Sequence, residues 1–256
     1  MLPNAGLPDP TVLLIAASLS LFGVGLVKGI AGFGTGLLAV PIISKLYSPA
    51  LALGVLSVTL WLVNVHVVTT SGLPRRVLAT HRGHILIAVV ASVLGVLGMT
   101  LLPEFVVYIG LGSYISLYLL SRNVRWTPGI GPNRPQNSLL AGGVGGFITG
   151  AFLSGGPVFV SYFQSIEISQ DEFVGALGFV FTLTMMVRIA PLYATGSFGV
   201  SQTALGVGFL VPLSMGVATG DRLRPHVPRG AFDRFVELLL VAVAANLLLD
   251  GLPAVL

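Results

Sequence analysis

Two basic residues lie inside apolar segments of the chain, where a charge is costly. Lys28 stands in "GLVKGIAGFGTG" (25–36) and Arg188 in "FTLTMMVRIAP" (181–191). A cation at the centre of a bilayer costs about 2.5 to 3.5 kcal/mol, whereas each Leu or Val returns only about 0.3 to 0.6 kcal/mol. The apolar runs around both residues contain no Asp or Glu. Two cations without an internal partner predict that a visiting anion neutralises them.

The two cations differ in how well a purely structural role suits them. If the first apolar element turns back as a full hairpin, Lys28 lies near the tip and its side chain extends to the interface. A site role and this interfacial role both stay open for Lys28. Arg188 lies deeper in its apolar run, so the sequence favours a site role for it.

Two glycine clusters interrupt apolar runs and predict helix starts at membrane depth. They are Gly34-Thr35-Gly36 and Ser154-Gly155-Gly156-Pro157. The first amides of a helix lack intrahelical partners and carry about half a positive charge, so they attract anions. Irregular backbone at this depth is tolerated where it is covered by protein or lines a cavity. The alternative is that the glycines only allow close helix packing.

Other polar residues in the apolar runs have the chemistry to complete an anion site. Asn64 can hydrogen-bond a substrate, and His66 can do so or carry a proton. Ser154 beside glycines also leaves open an intramembrane hydrolase with His66 as its base, which requires about 2.6 to 3.2 Å between the two side chains. The predicted substrate-binding residues are Lys28, Gly34, Thr35, Asn64, His66, Ser154, Gly155, Gly156 and Arg188.

Composition identifies the elements that must position these residues. The chain is 54% hydrophobic and 9% charged, with a mean hydropathy of +0.95, which predicts an all-α polytopic membrane protein. Six stretches each suit one crossing: 50–71, 83–101, 104–121, 173–195, 198–219 and 231–249. Two longer stretches, 11–46 and 138–165, are broken by the glycines. Without cysteine, a metal-ligand cluster or a nucleotide fingerprint, we expect no cofactor, no metal and no enzyme.

The two halves of the chain resemble each other. Three glycine pairs share one offset: Gly29 and Gly150, Gly34 and Gly155, Gly54 and Gly175. We therefore predict a first repeat at 1–121, a cytoplasmic linker at 122–137 and a second repeat at 138–256. Each repeat is a glycine-broken hairpin or re-entrant element followed by three helices.

Arginines predict the orientation of these repeats. They cluster in three loops: Arg75, Arg76 and Arg82; Arg122, Arg125 and Arg134; Arg222, Arg224, Arg229 and Arg234. The positive-inside rule places all three loops in the cytoplasm, which requires the broken elements to enter the membrane and return. Both termini are then outside and the repeats are inverted.

At "GLVKGIAGFGTGLLAVPII" (25–43) and "GGFITGAFLSGGPVFVSYF" (145–163) the chain resembles the sulfite exporter TauE/SafE family, a TSUP-type permease family. The resemblance covers nearly the whole chain. It implies a bacterial-type multi-pass permease of the cytoplasmic (inner) membrane that moves small anions such as sulfite, sulfoacetate or other sulfonates, commonly outward. Its partners would be the anionic substrate and the lipid bilayer, not nucleic acid, with self-association left open.

The leading hypothesis is therefore an anion exporter that works by alternating access between two inverted repeats. An anion channel or a uniporter on the same scaffold is the main alternative, because the sequence does not separate passive from coupled transport. The intramembrane serine hydrolase is the weaker alternative.

Overall fold

The computed structural model describes residues 9–31, 34–123, 135–194, 196 and 198–252, and within them the fold is helical with no strand. The helices are α1 (Pro10–Ala31), α2 (Thr35–Leu46), α3 (Pro49–Ser71), α4 (Arg75–Thr80), α5 (Arg82–Leu101), α6 (Glu104–Asn123), α7 (Pro135–Phe152), α8 (Gly156–Gln164), α9 (Gln170–Ala194), α10 (Val200–Leu223) and α11 (Arg229–Gly251). The predicted linker, 122–137, falls largely on residues outside this description. The all-α polytopic fold class is confirmed.

Helix length separates the crossing helices from two short ones. By length and composition α1, α3, α5, α9 and α10 can each span a membrane. In contrast, α2 has 12 residues and α8 has 9, which correspond to about 18 and 14 Å of helix. The hydrocarbon core is about 30 Å thick, so neither short helix crosses it alone. Leucines such as Leu86, Leu94 and Leu238 are exposed on the outer surface, as expected for residues that face lipid.

Corresponding helices of the two halves make corresponding packing contacts. In the described residues α1 packs on α10 and α7 on α5, while α3 packs on α10 and α9 on α5. In addition, α3 packs on α9 and α6 on α11. When α1 is exchanged with α7, α3 with α9, α5 with α10 and α6 with α11, the same six pairs result. An inverted duplication would produce this pattern, and the duplication and its boundaries stay a prediction.

Many of the glycines serve close packing between these helices. On α7, Gly142, Gly146 and Gly150 lie against the backbone of α5. On α1, Gly25 and Gly29 lie against the backbone of α10. Small residues four apart let two helix backbones approach closely, so the packing interpretation is correct for these glycines.

Substituting Gly146 tests this packing, and the neighbouring Gly143 provides the control. A Cβ at Gly146 would clash with the backbone of Ala88, whereas one at Gly143 would first meet Ile87 Cγ1 at 3.9 Å. We expect Gly146→Ala to destabilise the protein by about 1 to 3 kcal/mol, because a backbone contact cannot be relieved by a rotamer change. Gly143→Ala should be neutral. Thermal unfolding in detergent measures both, and equal melting temperatures would contradict the packing.

Contacts between helices also fix their relative directions. Gly54 of α3 faces Phe198, just before α10, and Thr59 donates a hydrogen bond of 2.7 Å to the carbonyl of Gly206. Therefore α3 and α10 run parallel, and their carboxyl ends lie at one face. At the opposite face, the end of α2 is joined to the end of α11 by the ion pair between Lys45 and Asp250.

Arginines concentrate at the face where α3 and α10 end. Arg75 and Arg76 follow α3, and Arg222 and Arg224 lie at the end of α10. The charge pattern predicts this shared face, which we call the arginine face. Its assignment to the cytoplasm stays a prediction.

Candidate functional site

The two helix breaks of the chain meet each other. Gly36, in the first turn of α2, packs so closely on Leu153, just after α7, that a Cβ at Gly36 would clash with the Leu153 carbonyl oxygen. Each break contains a left-handed residue, Gly34 with φ 92° and Leu153 with φ 57°. The left-handed conformation costs a non-glycine residue about 1 to 2 kcal/mol. Leu153 is held in this conformation where the chain reverses between α7 and α8.

Both short helices start at this meeting point with uncapped amides. The cap residues are Gly34 for α2 and Gly155 for α8, and a glycine has no side chain that could accept a hydrogen bond from the first amides. The first N–H groups of α2, from Thr35 onward, therefore have no intrahelical partner. In α8, Pro157 has no N–H, so Gly156 supplies the free amide of its first turn.

The segment between α7 and α8 is held by its own hydrogen bonds. The hydroxyl of Ser154 donates to the carbonyl of Phe152 at 2.9 Å, and the Ser154 carbonyl accepts from the hydroxyl of Tyr114 at 2.6 Å. Gly155 packs against the hydroxyl of Thr149 so closely that a Cβ would clash. Ser154 is thus buried and hydrogen-bonded to backbone.

Arg188 is the largest fully buried side chain among the described residues, with 1% of its surface exposed. Its Nε donates to the hydroxyl of Ser57 on α3 at 2.8 Å, and that hydroxyl donates to the carbonyl of Leu53 at 2.5 Å. Its Nη1 is buried without a partner in the described part of the chain, and no carboxylate there pairs with the guanidinium. An unpaired buried charge is strongly unfavourable unless something else neutralises it.

A second buried donor lies one helical turn beyond Ser57, the residue that Arg188 contacts. The indole Nε1 of Trp61 is buried and has no hydrogen-bond partner within the described residues. Trp61 follows Ser57 by four residues on α3, which places both on the same helix face. Asn64 continues this face, and its amide donates to the Leu60 carbonyl at 2.7 Å and contacts Met185 Sδ at 3.5 Å. We call Ser57, Trp61, Asn64 and Arg188 the α3–α9 strip.

The start of α8 approaches α9 close to this strip. A Cβ at Gly156 would lie 3.8 Å from Phe181 Cζ. Phe181 precedes Arg188 by seven residues, which is about 10 Å along the helix axis. Between them, the carbonyl of the buried Thr184 accepts a hydrogen bond of 2.8 Å from Ser92 of α5. The break of α7–α8 and the α3–α9 strip therefore both lie against α9, about two helical turns apart.

Lys28 lies apart from this arrangement. It is half-buried in the last turn of α1, near the arginine face. Gly29 beside it packs on the backbone of Gly220 and Asp221, and the Asp221 carboxylate is within electrostatic range of the Lys28 ammonium. Lys28 thus has an acidic neighbour, which the sequence interpretation lacked because it ended that apolar stretch at residue 219.

His66 does not join the other predicted residues either. Its side chain is exposed on α3, while Ser154 is buried and bonded to its own backbone. The Ser154–His66 pair that a serine hydrolase requires is therefore not formed. No group of His, Asp or Glu side chains suited to a metal ion occurs in the described residues.

The sequence interpretation missed Ser57 and Trp61. Both lie in the apolar run "GVLSVTLWLVN" (54–64), where a single serine or tryptophan is unremarkable. A usable signal is their spacing with Asn64, since positions 57, 61 and 64 share one face of a helix.

Comparison with known proteins agrees with this architecture. A family model described as "Sulfite exporter TauE/SafE" matches residues 17–247. No curated protein and no solved structure shows significant similarity to the chain. The match covers both helix breaks, α3 and α9, and nearly the whole chain. The chain therefore belongs to the sulfite exporter TauE/SafE family and is a multi-pass membrane transporter of sulfite-type anions.

Proposed function

We propose that the protein exports small sulfur-containing or organic anions, such as sulfite, sulfoacetate or other sulfonates, by alternating access. The anion would bind between the two helix breaks and the α3–α9 strip. The main support is the guanidinium of Arg188, which is buried and, among the described residues, has no partner for its Nη1 and no carboxylate beside it.

The donor inventory favours an oxyanion as the ligand. Arginine and the tryptophan indole only donate hydrogen bonds, so the free groups of Arg188 and Trp61 both require an acceptor. A sulfite or sulfonate group carries three acceptor oxygens and negative charge, which matches two donors and a cation. The uncapped amides at Thr35 and Gly156 would add further donors. Lys28 lies near the arginine face and would not contact the bound anion directly.

The short helices support alternating access rather than an open pore. Because α2 and α8 start within the membrane, on either side of the contact between Gly36 and Leu153, a small shift of one short helix would expose the site to one face at a time. Equivalent inward-facing and outward-facing states would require the two halves to make corresponding helix contacts, and the helix pairs of this protein correspond in that way. Each state would use the same contacts with the halves swapped.

Flux measurements on purified protein in liposomes test the proposal. We expect sulfite or sulfoacetate release above that of empty vesicles, with a rate that saturates as the anion concentration rises. A rate that increases linearly to high concentration would instead favour the channel. Release no faster than from empty vesicles for every sulfonate, sulfite and carboxylate tested would contradict the proposal.

Replacing Trp61 by Phe tests the second donor. Trp61→Phe keeps an aromatic ring but removes the unpartnered N–H. We expect the dissociation constant for sulfite to rise about tenfold or more, since a tenfold change corresponds to about 1.4 kcal/mol and a hydrogen bond to a charged group contributes about 1.5 to 3 kcal/mol. The melting temperature without anion should not fall, because the lost group has no partner among the described residues. Unchanged affinity would exclude Trp61 from the site.

A further inference from the structure

A polar cluster outside the proposed anion site connects α8 to its neighbours near the arginine face. His81 Nδ1, just before α5, lies 2.7 Å from the hydroxyl oxygen of Tyr162 on α8. The same hydroxyl lies 2.7 Å from Ser138 Oγ on α7. Tyr162 is buried, with 1% of its surface exposed. Its hydroxyl is therefore the point at which α8 is held to both neighbouring elements.

A second histidine in this cluster is fixed in one protonation state. His84 Nδ1 lies 2.8 Å from the backbone carbonyl of Ser138, and the imidazole stacks on the Tyr162 ring at 4.1 Å. A carbonyl only accepts hydrogen bonds, so Nδ1 carries the hydrogen. His84 Nε2 is fully buried without a partner in the described residues, and a proton added there would create an unsolvated charge. His84 therefore stays neutral.

His81, in contrast, has access to a cavity. The cavity has a volume of about 190 Å³ and lies between α4 and the start of α9. Its other lining residues are Arg76, Val77, Thr80, Ile166, Glu167, Ile168 and Glu172. Titratable groups from each neighbouring element therefore surround His81. They are Arg76 from α4, His84 from α5, Tyr162 from α8, Glu167 from the connection before α9 and Glu172 from α9. The residue contributed by α7 is the uncharged Ser138.

Protonation of His81 would fix the direction of the hydrogen bond between His81 and Tyr162. A neutral imidazole can either donate to the Tyr162 hydroxyl or accept from it. A protonated imidazole carries hydrogen on both nitrogens, so Nδ1 must donate. The Tyr162 hydroxyl hydrogen is then left to donate to Ser138 Oγ. Burial lowers the pKa of His81 below its ordinary value, so the described arrangement favours the neutral form.

We infer that His81 is a proton-binding site whose occupancy controls the docking of α8. By docking we mean that the Tyr162 hydroxyl of α8 is hydrogen-bonded to His81 and Ser138. The inference rests on the proposed function, because the start of α8 belongs to the proposed anion site. In the docked state, neutral His81 and Ser138 hold Tyr162. A proton from water in the cavity binds the imidazole, and the resulting cation is more stable when the ring is hydrated beside Glu167 and Glu172. Docking is therefore favoured at high pH and is lost as pH falls below the ordinary pKa of histidine.

The chain contains no cysteine, which allows a direct measurement of α8. Ser161 is exposed on α8, and Ser161→Cys accepts a single spin label. We expect the label's rotational mobility in lipid nanodiscs to rise about twofold or more between about pH 7.5 and about pH 5.5, across the ordinary pKa of histidine. The mobility measurement needs no anion. The inference about His81 can therefore be wrong while the proposed transport is correct, and the proposed transport can be wrong while the inference is correct.

Variants of the cluster complete the test. His81→Gln keeps a neutral hydrogen-bonding side chain and should hold the label at low mobility at both pH values. Tyr162→Phe should give high mobility at both; if it does not fold, His81→Gln decides alone. His226→Gln removes an exposed histidine from the arginine face and should retain the pH response. Mobility that does not change with pH, or that changes equally in His81→Gln, would overturn the inference.

Discussion

Arg188→Met weakens sulfite binding by about 30-fold or more while the melting temperature without anion stays equal to or above that of the wild type. Methionine fills a similar volume without charge. Removing one partner of a buried charge pair costs about 2 kcal/mol or more, which is about 30-fold in the dissociation constant. Because no carboxylate in the described part of the chain pairs with the guanidinium, the empty protein loses the Ser57 hydrogen bond of 2.8 Å and is relieved of a buried charge.

Binding and stability measured together separate a site role from a structural one. Isothermal titration with sulfite gives the affinity, and thermal unfolding in detergent gives the stability. Arg222→Met, which removes an exposed arginine at the end of α10, is the matched control and should change neither. If Arg188→Met instead binds sulfite normally and melts well below wild type, Arg188 is a structural residue and the proposed site is wrong.

Gly36→Ala reduces anion flux about tenfold or more. The added methyl group would be directed at the carbonyl oxygen of Leu153, and its next contact, the Leu153 carbonyl carbon, lies at 2.9 Å. Both are backbone atoms, so the two breaks must separate. Overpacking of this kind costs about 1 to 3 kcal/mol, and here it falls on the contact that aligns the starts of α2 and α8.

Gly23→Ala is the control for this substitution. Gly23 lies on α1, and a Cβ there would meet no atom of the described residues within 4 Å. Alanine is also the better helix former, so Gly23→Ala should preserve flux. Flux is compared per amount of monodisperse protein, which removes differences in yield. Equal flux from the two variants would contradict the close contact between the breaks.

The helix breaks could be predicted from the sequence because their cause is local. Glycine permits left-handed backbone and proline suits a first helical turn, so "GFGTG" and "LSGGP" predict where α2 and α8 begin. The helix starts at Thr35 and Gly156 fall inside these stretches. Arg188 was also identifiable, since a cation deep in an apolar run is costly wherever its helix packs.

The α3–α9 strip could not be predicted, because it depends on which helices become neighbours. Ser57 and Arg188 are 131 residues apart in the chain and meet only when α3 packs on α9. The orphaned indole of Trp61 is likewise visible only once its surroundings are known. The same holds for His81 and Tyr162, whose hydrogen bond spans 81 residues.

Lys28 shows how a helix boundary changes an electrostatic interpretation. The hydropathy of "GVATGDRL" falls at Asp221, which suggests that the membrane segment ends before it. In the structure α10 continues to Leu223 and brings Asp221 to the end of α1. An acidic residue just beyond an apolar run can therefore reach a basic residue on the neighbouring helix.

Locating the bound anion tests the central claim most directly. Selenite has the shape and charge of sulfite, and selenium scatters anomalously, so diffraction from crystals soaked with selenite would mark its position. We expect a peak whose oxygens lie within about 3.2 Å of the Arg188 guanidinium. A peak found only elsewhere, such as beside Lys28, or a protein carboxylate paired with Arg188 would contradict the account.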